Sequence, residues 1–175
     1  MAEKYAYGIK SVKFGIPTGS NTMPGTLTPW AQTVKGSLTL SEDEAQQKEF
    51  FVEETTTAVH KVVTEAGSLK LKWRGYEITP EAIAVVKGGT AGTTGSGATK
   101  KLTYDGPVTV DIINLALQVV TTNDIVFNIY KTAVLGRFDS SLGRENLLEL
   151  EVAASALDPG NGASPYQIEV PDPQA

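Results

Sequence analysis

Residues 69–89, LKLKWRGYEITPEAIAVVKGG, change hydrophobic period half-way along, and that change decides the fold class. Leu69, Leu71 and Trp73 alternate with Lys70, Lys72 and Arg74, the pattern of a strand with one buried and one wet face. The alternation then stops, and the residues from Thr79 to Lys87 predict one short, capped helix. Thr79 can accept from the first free helical N–H groups, and Pro80 suits the first helical position, where no donor is needed. Glu81 faces the positive end of the helix dipole, and Ile78 can staple onto Ile83. Gly88 or Gly89 can close the helix.

The flanking sequence is β-patterned. Residues 5–16 alternate loosely and predict a first strand or ordered arm, followed by a Pro-, Gly- and Thr-rich loop at 17–33 whose Met23, Leu27 and Trp30 are apolar enough to dock on something. Residues 34–40 predict a strand with Leu38 and Leu40 on one face, and 41–48 an acidic connection. Residues 50–57 and 58–65 predict two consecutive strands, rich in Val, Thr and Phe. After the helix, residues 88–100 are Gly, Thr and Ser almost throughout and predict a flexible loop, since they can bury little apolar area against their ordering entropy. Val108, Val110 and Ile112 alternate, as do Leu115, Leu117 and Val119. Thr122, Asn123 and Asp124 supply turn chemistry before a return strand from Ile125 to Phe138. Leu148, Leu150 and Val152 mark a last main strand, and the Pro-rich tail, 158–175, holds a short edge strand near Tyr166 to Val170. The fold class expected is α+β, predominantly β: an antiparallel β-sandwich or barrel in a single domain, 1–175, with one short flanking helix.

Composition narrows the function classes. The 175 residues are 41% hydrophobic and 20% charged, as in globular rather than disordered chains. A net charge of −5 argues against sequence-independent nucleic-acid binding, which rests on Lys and Arg. No cysteine is present, so neither a disulfide framework nor a thiolate metal site can form. No apolar run has the length of a membrane span and the N-terminus lacks a signal-peptide core, so a chain made and kept in a cytoplasm is expected.

Catalytic constellations are missing. The one histidine, His60, could act as a base or ligand, but alone in a β-patterned segment it reads as an ordinary strand side chain. The Gly-rich segment lacks the Gly-Lys-Ser/Thr of a phosphate loop and follows a helix rather than preceding one, and no nucleophile elbow surrounds Ser96. Glu42, Asp43, Glu44, Glu49, Glu53 and Glu54 form the most acidic region. Without the spacing of a calcium loop they read as a solvated face, or functionally as a surface that repels an acidic polymer. Lys70, Lys72 and Arg74 form a basic stripe for which ion pairing with those glutamates, Glu53 for instance, is the plain account and phosphate contact the functional one. No catalytic residue, cofactor or metal is assigned.

The order of parts resembles that of the major tail tube proteins of long-tailed bacteriophages and the related tube proteins of contractile injection systems. The matching features are Trp73, Thr79-Pro80-Glu81-Ala82, Gly88-Gly89 and the hairpins spanning Leu115 to Leu135 and Arg144 to Leu157. The resemblance implies a non-enzymatic virion protein, synthesised in the bacterial host cytoplasm. Its subunits would form stacked hexameric rings, a tube around a tape-measure protein and later DNA, closed by a tail-terminator protein, with no membrane partner. Under it, Met23, Leu27, Trp30, Gly89, Gly92 and Gly95 are candidate assembly residues. Glu42, Asp43, Glu44, Glu53 and Glu54 are candidate lumen residues, where like charge would let DNA slide. The alternative is a β-sandwich binding module of adhesin or carbohydrate-binding type.

Overall fold

The strand and helix expected at 69–89 both form, and the rest of the fold is arranged around them. The computed structural model describes residues 5–30, 32–53, 56–76, 78–141, 146–160 and 162–172. Its elements are β1 (Ser11–Gly15), β2 (Thr28–Trp30), β3 (Thr39–Glu42), β4 (Gln46–Phe50), β5 (His60–Glu65), β6 (Leu69–Gly75), α1 (Pro80–Lys87), β7 (Thr90–Thr94), β8 (Lys101–Asp105), β9 (Ile113–Val120), β10 (Val126–Phe138), β11 (Leu150–Ala156) and β12 (Tyr166–Glu169). Eight strands make one antiparallel sheet in the order β2-β1-β9-β10-β11-β6-β3, with β12 on β10; β4–β5 and β7–β8 are separate hairpins.

Burial in β6 alternates strictly: Leu69, Leu71, Trp73 and Gly75 point inward and the three cations outward. The inward set continues across the ladder through Leu150, Val152 and Ala154 of β11, then Val134 of β10 and Leu115, Leu117 and Val119 of β9. Val12 carries it onto β1. The central strand β10 is long enough to serve two neighbours along one edge: residues 126–129 pair with β12, and 132–138 with β11. Between Ile129 and Thr132 the register against β9 shifts by one residue, a bulge that bends the strand where its partner changes. The buried Thr132 hydroxyl satisfies the Leu115 carbonyl there, at 2.7 Å.

The sheet rolls without closing into a barrel. Past Trp30 the chain crosses to the free edge of β6, where the Val34 N–H donates to the Arg74 carbonyl (2.8 Å) and the Tyr76 N–H to the Gln32 carbonyl (3.0 Å). A single bridge, Thr33 to Gly75, completes this seam. Inside it, the Trp30 and Trp73 rings meet edge to face with centroids 6.1 Å apart, and Phe14 meets Trp30 at the same separation. Such pairs add about 0.5–1.5 kcal/mol beyond their burial.

Helix α1 covers part of this inner face. The Thr79 hydroxyl accepts from the Ala82 N–H at 3.3 Å, and Gly88, at φ +76°, ends the helix by donating its N–H to the Ala84 carbonyl. Ile83 and Val86 are buried and join Leu69, Leu71 and Trp73 in one core cluster. Val86 sits so close over β10 that only a residue without a Cβ fits at Gly136.

Four local expectations are corrected. Residues 88–100 are not an unstructured loop: β7 and β8 pair in register from Thr90–Asp105 to Thr94–Lys101, and the Tyr104 hydroxyl ties the hairpin to the helix end through the Gly88 carbonyl at 2.9 Å. Val108, Val110 and Ile112 alternate but form no strand and are exposed. The strand expected at 50–57 lies earlier, at β4, inside the segment expected to be a connection. The 17–33 loop is partly tucked in, with Pro24 and Leu27 against Gly15 and its last residues forming β2.

Trp73→Ala is expected to lower stability by about 3–5 kcal/mol through the cavity it leaves. Gly75→Ala is expected to cost about 1–3 kcal/mol, because its Cβ would meet the Trp30 indole. Urea unfolding of both variants checks the two values.

Candidate assembly surfaces

On the outer face, the basic stripe of β6 is neutralised from its neighbours. Lys70 reaches Asp43 at 2.7 Å, Lys72 reaches Glu151 at 3.2 Å, and Arg74 reaches Glu149 at 2.9 Å. Glu53, the partner proposed from sequence, is elsewhere, in the exposed connection between β4 and β5. The buried Glu151 carboxylate also accepts from Arg137 Nε at 2.6 Å, across β10–β11. Arg137, and then Lys72, hold the Glu151 carboxyl below the usual carboxylate range, although burial opposes them. The same contact raises the Arg137 guanidinium further, and burial raises the Tyr104 phenol. A second polar ladder crosses the same face, from Gln118 to Asn128 (2.9 Å) to Glu169 (2.7 Å). These groups satisfy one another and bind the sheet.

The candidate lumen residues divide between two places. Glu42 ends β3, and Asp43 and Glu44 follow it at the root of the β4–β5 hairpin, with Asp43 engaged by Lys70. Glu53 lies at the far end of that hairpin, one strand of about 17 Å away. Glu54 falls outside the described residues. Of the assembly candidates, Trp30 is corrected: it is 5% exposed and belongs to this subunit's own core. Met23 and Leu27 are half-buried. Gly89 precedes β7, Gly92 lies within it, and Gly95 makes the turn toward β8, so all three belong to an ordered hairpin. His60 is exposed on β5, its ring 6.3 Å from that of Phe50. Among the described residues no three His, Asp or Glu side chains gather as a metal set, and no helix is long and apolar enough to cross a membrane.

Two features escape the sequence pattern. The first is the β4–β5 hairpin, whose every strand residue is exposed. Phe51, Val59 and Val63 are 59%, 56% and 58% exposed, and Phe50, Val52 and Val62 stand beside them. The Phe50-Phe51-Val52 run ahead of two glutamates was the available signal, but β-propensity does not distinguish a core strand from a free ribbon. The second is an open cleft of about 1070 Å³ at the end of the rolled sheet. Its apolar lining includes Trp30, Leu38, Leu40, Leu71, Val119 and Phe127. It is assembled from five separate segments, which no local pattern can announce.

Comparison of the chain with protein-family models and with curated proteins gives no match.

Glu151→Gln is expected to cost about 1–2 kcal/mol at pH 7, toward the low end because Lys72 and Arg137 are solvent-screened. Because the folded carboxyl titrates below its unfolded value of about 4.3, its contribution is complete above that pH and disappears as pH falls through the folded value. Urea midpoints should therefore differ between wild type and variant at pH 7 and converge on acidification.

Proposed function

We propose that this chain is a structural subunit that assembles into stacked hexameric rings, a tail tube of the bacteriophage type through which DNA passes without specific binding. The observation that carries the reading is a subunit with a complete core that nevertheless holds a whole hairpin, β4–β5, in solvent with its apolar side chains exposed. A two-stranded hairpin is marginal by itself, and apolar surface of this kind characterises interaction sites. The order of parts noted in the sequence supports the same reading, as does the rolled sheet with one flanking helix. Tape-measure and terminator proteins are the further partners it implies.

In such a tube the wall facing DNA must lack deep binding minima, and carboxylates supply that by repulsion. Glu42, Glu44 and Glu53 are exposed and suited to the role, with Glu54 beside them in sequence. Asp43 contributes less net field because Lys70 accompanies it. The second reading, a binding module of adhesin or carbohydrate-binding type, is favoured by the open cleft, whose size is that of a ligand site.

Sedimentation and negative-stain imaging at high protein concentration separate the two. Rings or tubes are expected; a chain that stays monomeric at every concentration overturns the tube reading. In assembled tails, Glu42→Lys with Glu44→Lys is expected to slow DNA ejection, and less so at high salt because screening shortens the attraction. Unchanged ejection at low salt from normal tubes would remove these two residues from the channel wall.

A further inference from the structure

We infer that the tip of the β4–β5 hairpin of one subunit inserts into the apolar cleft of a second copy of this chain. The inference rests on the ring reading above, to which it adds the contact itself.

The two surfaces match in three respects. The described part of the tip leads with Phe50, Phe51 and Val52 and returns through Val59, all exposed. The cleft presents Leu38, Leu40 and Phe127 around about 1070 Å³, with the almost fully buried Trp30 and Leu71 also in its wall, room for aromatic anchors of the kind that dominate interfaces. Charge is complementary as well. The charged residue described in the tip is Glu53, which is acidic and exposed. The charged residues lining the cleft are Lys10 and Lys35, both basic, in a chain of net charge −5. Lys10 is already paired with Asp124 at 2.6 Å, so the exposed Lys35 is the cation the cleft offers to an incoming carboxylate. Finally, knob and socket are different surfaces of the same molecule. Such a heterologous contact leaves each subunit with one free knob and one free socket, so it propagates into a ring or a filament rather than stopping at a dimer.

The absence of cysteine allows a direct test in the full chain. Phe51→Cys and Lys35→Cys, each at an exposed position, are prepared separately, mixed in equal amounts and treated with a short bismaleimide. Lys101→Cys, on exposed β8, replaces Lys35→Cys in the control mixture. Dimers linking Phe51→Cys to Lys35→Cys are expected in large excess over either self-linked product and over the control. Dominant linkage between two Phe51→Cys chains would mean that hairpins pair with each other, and would overturn the proposal. Phe50→Ser with Phe51→Ser is expected to abolish the higher-mass species while leaving the thermal midpoint unchanged, since both side chains stand outside the core. Rings without the mixed linkage overturn the contact and leave the ring reading intact. Mixed-linked dimers without rings sustain the contact and refute ring closure. Monomers without mixed linkage remove both.

Discussion

The contact of Trp30 with Trp73 above Gly75 is the constraint on which the rolled sheet depends. Strands β2 and β6 are the ends of the ladder apart from the short β3, and nothing in the hydrogen-bond order of β1, β9, β10 and β11 obliges them to approach. The two indoles bring them together because neither large ring can be buried without the other, and Gly75 supplies the space that any side chain would fill. Their Nε1–H groups find no hydrogen-bond partner among the described residues, a cost of about 1–3 kcal/mol each. That such a cost is tolerated indicates how much apolar area the pair removes from water. The seam bonds at residues 32–34 follow from the approach rather than causing it, since three backbone contacts at one edge are worth only about 0.5–1.5 kcal/mol apiece.

The bend of β10 is the complementary requirement. In a regular strand Phe127 and Val134, an odd and an even position, would face opposite sides of the sheet. The bulge after Ile129 inserts one extra residue, so the inward set passes from Phe127 and Ile129 to Thr132 and Val134, and it falls where β12 gives way to β11. Helix α1 then covers the second half of that strand over Gly136, and Tyr104 ties the β7–β8 hairpin to the helix end. One bend thus decides where the helix sits and, through it, where a second hairpin stands.

Where alternation coincides with burial, the elements were legible in the sequence. Leu69 to Trp73, Leu115 to Val119 and Leu150 to Val152 all form strands in the main sheet, and the cap at Thr79 is where its chemistry suggested. Alternation alone is not sufficient, because a strand also needs a neighbour: Val108, Val110 and Ile112 have the pattern and no partner strand among the described residues. The converse holds for β7, TAGTT, which has almost no apolar content yet pairs along its length because the helix end and Tyr104 hold its register. Partner identity was the least legible property. Lys72 could as well have met any carboxylate in the acidic run, and only the β10–β11–β6 order brings Glu151 to it. The surfaces now proposed for assembly were illegible for the same reason, Trp30 passing for a loop residue and the cleft having no sequence of its own.

The division between core and surface bears on what the subunit is built to do. The residues that close the interior all belong to the large sheet and α1, and the polar ladders on its outer face satisfy one another. Much of the exposed apolar surface lies elsewhere, on the β4–β5 ribbon and the segment from Val108 to Ile112, although Leu135, Phe138 and Ile168 of the sheet are exposed as well. A protein selected only to fold would gain by making those positions polar, because exposed apolar groups raise the risk of non-specific association and add nothing to the core. Their retention on elements that the core does not need separates two functions in one chain: the sheet stores the stability, and the appendages are free to be matched to a neighbour. Substitutions on the ribbon should then alter association without altering folding, whereas substitutions under the Trp30–Trp73 seam should alter both, because the cleft is walled by the same residues that hold the sheet in its roll.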